Sequence, residues 1–223
     1  NTMTNLFSNF NPENIANIYV RAAKPNNKVC RKYFSLSDRE VLRTLYKKNY
    51  DAGYSFIWDN TNDDSEIYNL HDELEERLYS FFRSRTKVLA LWGQDLLWRI
   101  GKWRSNKLNQ FLDEFQPDVI FSPCFYTSYT HRLLWYIQER TNARVALYHT
   151  DDYLSVDRMG LSLLEIINQE IISKVVINSA LKADINYCIS HKQQVEYQNK
   201  LGKEMKLLYK GADFKNQPVY VPP

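Results

Sequence analysis

The sequence predicts an α/β protein, a Rossmann-like parallel sheet flanked by helices. Three observations carry this class. From Pro117 onward, short apolar runs alternate with helical patterns, and strands and helices in that rhythm build βαβ units around a parallel sheet. Two of the runs, in Ala143–Tyr153 and Asp184–Ser190, stop abruptly in polar residues, and open α/β sheets bind ligands outside the carboxyl ends of their strands. Hydrophobic residues make up 44% of the chain and aromatic ones 14%, which is enough for a substantial core.

In chain order, Thr2–Phe10 (TMTNLFSNF) reads as the end of a helix whose start is missing, and Pro12 breaks it. Asn14–Val20 (NIANIYV) and Tyr33–Leu36 (YFSL) read as strands. Ser37 or Asp38 caps the next helix, with Glu40 completing a capping box. That helix carries Val41, Leu42 and Leu45 and ends at Lys47 and Lys48, where its dipole favours cations. Asp51–Asn69 reads as a solvated loop. Its stretch Asp59–Glu66 (DNTNDDSE) is not a calcium loop, because Asp64 and Leu70 stand where an EF-hand needs glycine and glutamate.

His71–Phe115 reads as helical, with Val88, Trp92, Leu96, Ile100 and Trp103 as one apolar stripe among basic residues. Trp92, Trp98 and Trp103 beside lysine and arginine raise contact with an anionic membrane surface; a helix covering the sheet, packed through Gly93 and Gly101, explains the same pattern. Pro117–Ser122 (PDVIFS) reads as the central strand, followed by Phe125, Tyr126 and Thr127 and a helix from Ser128 with core positions Leu133, Leu134 and Ile137. The run Val145–Tyr148 ends in His149, Thr150, Asp151 and Asp152. A long helix from about Leu161 to Lys182, apolar on two sides, reads as buried nearly all round. Asp184–Ser190 (DINYCIS) is another strand. His191–Lys200 is a helix closed by Leu201 and Gly202, and Met205–Tyr209 is the last strand before Lys210 and Gly211.

The net charge of +3 does not call for nucleic acid. Three scattered cysteines, Cys30, Cys124 and Cys188, form no CxxC pair, which favours reduced thiols in the cytoplasm. No apolar run approaches the ~20 residues of a membrane span, and no secretory leader opens the chain. For the strand end at His149 two readings stand together. In one, Thr150, Asp151 or Asp152 caps the next helix and His149 makes one hydrogen bond. In the other, these groups face a ligand. His71, His131 and His191 read as surface or satisfied residues.

Four segments together resemble a known family. PDVIFSP (Pro117–Pro123), ARVALYHTDDY (Ala143–Tyr153), ADINYCIS (Ala183–Ser190) and LGKEMKLLYKGADF (Leu201–Phe214) occur in the order seen in the N-terminal half of bacterial retaining glycosyltransferases of the large family four, which have the two-domain GT-B fold. The early LFSNF, IANIYV and YFSL segments look like the capsular and surface-polysaccharide branch. Lys210 stands where the family usually has asparagine, and the family's opening strand and glycine-rich loop are missing before Asn1. On this resemblance residues 1–214 form the Rossmann-like acceptor-side domain, and 215–223 form a linker to an absent C-terminal domain with its E-x7-E segment.

The resemblance implies that the whole enzyme moves a sugar from a UDP- or GDP-sugar to a polysaccharide or lipid-linked acceptor at the cytoplasmic face of the membrane, with retention and without a catalytic metal. This domain would bind no cofactor and be inactive alone. His149 would be catalytic, approaching the donor sugar. Asp151 and Asp152 would accept hydrogen bonds from sugar hydroxyls, with Phe125, Tyr126, Thr127 and Ser190 at neighbouring strand ends and Lys210 and Gly211 near the hinge. Two alternatives come from other classes: a non-catalytic Rossmann-like binding or scaffold domain, and metal-dependent phosphate chemistry at His149, Asp151 and Asp152. The adjacent aspartates do not have the spacing of a DxD metal site.

Overall fold

The computed structural model describes residues 2–20, 29–57, 87–154 and 160–209. The chain opens with a short helix α1 (Thr2–Leu6) and strands β1 (Ala16–Tyr19) and β2 (Lys32–Ser35), followed by α2 (Asp38–Tyr46) and β3 (Tyr54–Ile57). β1 and β2 pair in parallel, and β3 joins β2 antiparallel. The third strand falls where a solvated loop was expected. Tyr54 and Phe56 are the strand-forming signal, and both pack in an aromatic group with Tyr33. Gly53 turns the chain into β3 at φ +84, where a side-chain Cβ would sit 2.8 Å from the Ser35 carbonyl.

Ser37 caps α2 by accepting the Glu40 N–H, but the expected capping box is not completed. The Glu40 carboxylate turns inward instead, accepting from the Tyr50 hydroxyl, the Gly53 N–H at 2.8 Å and Arg43 at 2.8 Å. It thereby ties the start of α2 to the turn before β3.

Helices α3 (Lys87–Ile100) and α4 (Asn106–Phe115) follow; the expected helical residues 71–86 and the Asp59–Glu66 stretch lie outside the described residues. The buried face of α3 is not the stripe expected. Val88 and Trp98 are inside, whereas Leu96 is 56% exposed and Ile100 58%. Trp98 and Trp103 are buried in the cluster that joins Phe34, Leu36 and Val41 to α4 and the next helix, and the Trp92 indole N–H is held by Asn168 at 2.9 Å. The tryptophans that raised a membrane surface are thus mostly core residues, placed too deep for a headgroup layer. Among the described residues no helix is long and apolar enough to cross a membrane.

The rest of the chain is three successive βαβ units: β4 (Val119–Pro123), α5 (Ser128–Thr141), β5 (Arg144–His149), α6 (Leu163–Lys182), β6 (Ile185–Cys188), α7 (His191–Leu201) and β7 (Lys206–Leu207). All neighbouring strands pair in parallel, in the order β4-β5-β6-β7. This is the Rossmann-like α/β arrangement read from the sequence. Because the strand order advances one step per unit, right-handed crossovers put α5, α6 and α7 on the same face. There Val145 and Leu147 of β5 pack with Leu134 of α5 and with Ile172 and Val176 of α6. The opposite face carries Phe121, Tyr148 and Tyr187, with Phe7 just after α1 edge-on to Phe121.

β4, expected to be central, is the edge of this sheet among the described strands, and its Val119 is exposed. β5 is flanked on both sides and buried from Val145 to His149. α6 is also not buried all round: Ile172, Val176 and Ala180 are inside, while Leu164, Ile167 and Ile171 lie on the surface. Periodicity identified an apolar helix but not which side the protein covers.

Candidate functional site

Parallel pairing brings the carboxyl ends of β4, β5 and β6 side by side, and the segments after them form one connected rim. After β4, Phe125 is exposed. Tyr126 reaches α6, its hydroxyl donating to Gln169 Oε1 at 2.8 Å and accepting from Asn168 at 3.1 Å. The Tyr126 ring packs on Tyr153, after β5, at 5.3 Å between centroids. Tyr153 donates its hydroxyl proton to Asp151 Oδ2 at 3.0 Å and its backbone N–H to the Tyr197 hydroxyl at 3.0 Å. The Tyr197 hydroxyl in turn donates to Asp152 Oδ1 at 3.1 Å. Gln193 on α7 donates to the Asp151 carbonyl at 3.0 Å. Rings and carboxylates from two strand ends, after β4 and β5, are therefore held by side chains of α6 and α7.

Neither aspartate caps the following helix. Ser162 does, in a complete capping box with Glu165. Asp152 instead accepts the Leu154 N–H at 3.1 Å, a local turn of the kind short acidic side chains favour. Both carboxylates are exposed, and Asp151 Oδ1 has no partner among the described residues. Thr127 stands at the start of α5 but spends its hydroxyl on Thr130 at 2.9 Å. Ser190 accepts the Gln193 N–H at 3.2 Å as the cap of α7. Lys210 and Gly211 lie outside the described residues.

His149 lies under this rim. It is 0% exposed, on the helix-covered side of β5, with its ring edge-on to Tyr197 at 5.2 Å. Its Nε2 is 3.1 Å from Asn186 Oδ1, and the Asn186 amide nitrogen donates to the Ala180 carbonyl at 2.9 Å. That second bond assigns the amide orientation, so Nε2 carries the proton and Nδ1 is a bare acceptor. Nδ1 is buried without a hydrogen-bond partner among the described residues. Burial is the main reason the ring holds its proton so weakly; the nearby His131 adds to the effect and the Asn186 bond opposes it, leaving a pKa of about 4. Placed here, the imidazole touches the rim through Tyr197.

His131 is a satisfied core residue, as read. Its Nε2 donates to the Phe125 carbonyl at 3.0 Å and its Nδ1 accepts from Ser179 at 2.8 Å, a pattern that needs the neutral ring. Burial lowers its pKa accordingly. Cys124, at the end of β4, is a thiol pushed up to about 12 by burial and by the negative Asp151. It is no nucleophile at neutral pH. Among the described residues no group of three or more His, Cys, Asp or Glu side chains is arranged to hold a metal ion. That leaves the metal-dependent phosphate reading without a ligand set there.

Beside the rim, α3, α6 and the start of α5 enclose a cleft of about 370 Å³. It reaches Tyr126 and Thr127 but not His149, Asp151 or Asp152. Sequence reasoning gave no site role to Tyr153, Tyr197 or Gln193. Their signal was faint: Gln193 and Tyr197 are one helical turn apart on α7, a polar pair on its inward side. No protein-family model matches the chain, and no curated protein matches it.

Proposed function

We propose that this chain is the acceptor-binding half of a retaining glycosyltransferase, which moves a sugar from a UDP- or GDP-sugar to a polysaccharide or lipid-linked acceptor on the cytoplasmic side of a membrane. One observation carries the reading: the rim over β4, β5 and β6 combines exposed aromatic surface with two carboxylates. Sugar rings present apolar faces that stack on aromatic side chains, and their hydroxyls donate well to ionised carboxylates. Phe125 supplies the exposed face, and Asp151 and Asp152 the acceptors. Tyr126, Tyr153 and Tyr197 hold them in place. His149 acts as a positioning residue that wedges Tyr197 beneath the loop. The nucleotide-sugar would be held outside these residues.

The complete burial of His149 favours a second reading, a non-catalytic saccharide-binding domain built on the same rim. Transfer separates the two. The protein in its full natural length is incubated with labelled UDP- or GDP-hexose and a lipid-linked saccharide extract. Donor-dependent incorporation is expected, with kcat/KM lowered roughly 10- to 100-fold in the Asp151→Asn, Asp152→Asn double variant. Absence of incorporation with either donor class removes the transferase reading and leaves the binding one.

A further inference from the structure

Helix α6 carries an outer stripe that core packing does not explain. Leu163, Ile167, Glu170, Lys174, Ile177 and Leu181 follow one another at steps of four, three, four, three and four. That spacing sets them along one line of the helix surface. Leu163 is 72% exposed, Ile167 39% and Leu181 49%. Glu170 and Lys174 are exposed as well, and Ile177 is partly so. The opposite side of the helix is the inward one. There Ile172, Val176 and Ala180 pack, and Asn168 and Gln169 hold Tyr126 and Tyr153.

In chemical character the stripe reads the same from both ends. Its outer positions are aliphatic, Leu163 and Ile167 before the centre and Ile177 and Leu181 after it, and its two inner positions carry opposite charges. A two-fold axis at the level of Ile172 therefore sets Leu163 against Leu181 of a second copy, Ile167 against Ile177, and Glu170 against Lys174, each pair twice. A parallel copy would instead oppose Glu170 to Glu170 and Lys174 to Lys174. Further exposed aliphatics widen the face: Leu164 and Ile171 beside the stripe, and Leu96 across the cleft on α3. A surface two helices wide and about 30 Å long offers roughly 600 Å², close to the ~800 Å² that each partner buries in a standard interface. Grouped exposed aliphatics on this scale mark a partner.

We infer that two copies of this chain associate through α6, packed antiparallel about a two-fold axis, with Glu170 of each copy paired to Lys174 of the other. The inference rests on the helix face and holds with or without the transferase reading. Since α6 holds Tyr126 and Tyr153 from its inner side, this dimer braces the rim in both copies.

Sedimentation equilibrium of the protein in its full natural length is the test. A concentration-dependent equilibrium between monomer and dimer is expected. Leu163→Asp and Leu181→Asp each weaken the dimer roughly tenfold or more, and both side chains are exposed, so neither change threatens folding. Glu170→Lys and Lys174→Glu each set like charges across the axis and also shift the protein toward monomer. An equimolar mixture of those two variants restores opposite charges at both contacts and dimerises as wild type does. Pairing of Glu170 with Lys174 inside one helix cannot produce that rescue. A monomer at every concentration overturns the inference, as does a dimer indifferent to these substitutions or a mixture that stays monomeric. A monomer that is retained on phosphatidylglycerol vesicles overturns it too, in favour of a lipid surface on this face.

Discussion

Trp98→Ala lowers the unfolding free energy by about 3–5 kcal/mol, the cost of emptying a fully buried tryptophan site. Trp98 is 1% exposed at the junction of the N-terminal sheet with α3, α4 and α5. Its ring stacks on Tyr129 at 4.5 Å and packs against Trp103 at 6.0 Å, whose indole N–H donates to the Trp98 carbonyl at 2.7 Å. Its own indole N–H donates to Asp38 at 2.7 Å. Asp38 is a partly buried carboxylate whose pKa is raised by desolvation and opposed by donors from Trp98 and Gln94. Trp98→Phe keeps most of the ring area and removes that donor, so it should cost less, about 1–3 kcal/mol. Urea denaturation of the three proteins measures both effects. A Trp98→Ala loss below 1 kcal/mol would show that the two sheets do not share this core.

Acidification between pH 6.5 and 4 destabilises the fold through His149. The unfolded ring titrates near 6.5 and the folded one at about 4. Above pH 6.5 the imidazole is neutral in both states and adds no pH dependence. Below it, the unfolded chain takes up a proton that the folded ring refuses, so stability falls by up to about 1.4 kcal/mol per pH unit and levels off below pH 4. The full difference is about 3 kcal/mol. His131, with its pKa also lowered by burial, acts in the same direction. His149→Gln keeps a side-chain N–H for Asn186 and removes the titration. Its stability curve should be flatter than wild type by that amount, with the His131 slope remaining. Parallel curves for the two proteins would mean that His149 is not enclosed as described.

How much of this was legible depends on which forces act locally. β5 and α6 were readable because continuous apolar runs are local signals, but the cap of α6 was not: it is Ser162, where Thr150, Asp151 or Asp152 had been read. The parallel sheet followed from the rhythm of strands and helices. β3 was hidden by the polar residues downstream of it, although Tyr54 and Phe56 alternate as a strand should. The inward face of α3 could not be read because Leu96 and Trp98 are equally apolar, and only the position of Phe34 and Val41 decides which is covered. Glu40 looked like a capping residue; its real partners lie beyond the helix, at Tyr50 and Gly53.

At the site the chemistry of the strand ends was visible and the depth of each group was not. His149 stands at the last position of β5, and one residue decides between facing solvent and facing α7. The tyrosines that carry the rim, Tyr153 and Tyr197, connect segments 44 residues apart, and no local pattern announces such a contact. The apolar surface of α3 and α6 followed the same logic. Periodicity found the stripes, and only tertiary packing could show that they stay outside.

The strand-end rim is tested most directly by amide NMR of the chain titrated with a hexose trisaccharide. The expected result is saturable shifts concentrated at residues 125–127, 150–154 and 189–193, with affinity several-fold weaker in Asp151→Asn, where an ionised acceptor is lost. Shifts confined to other surfaces, or none at tens of millimolar sugar, would contradict a saccharide site at these strand ends.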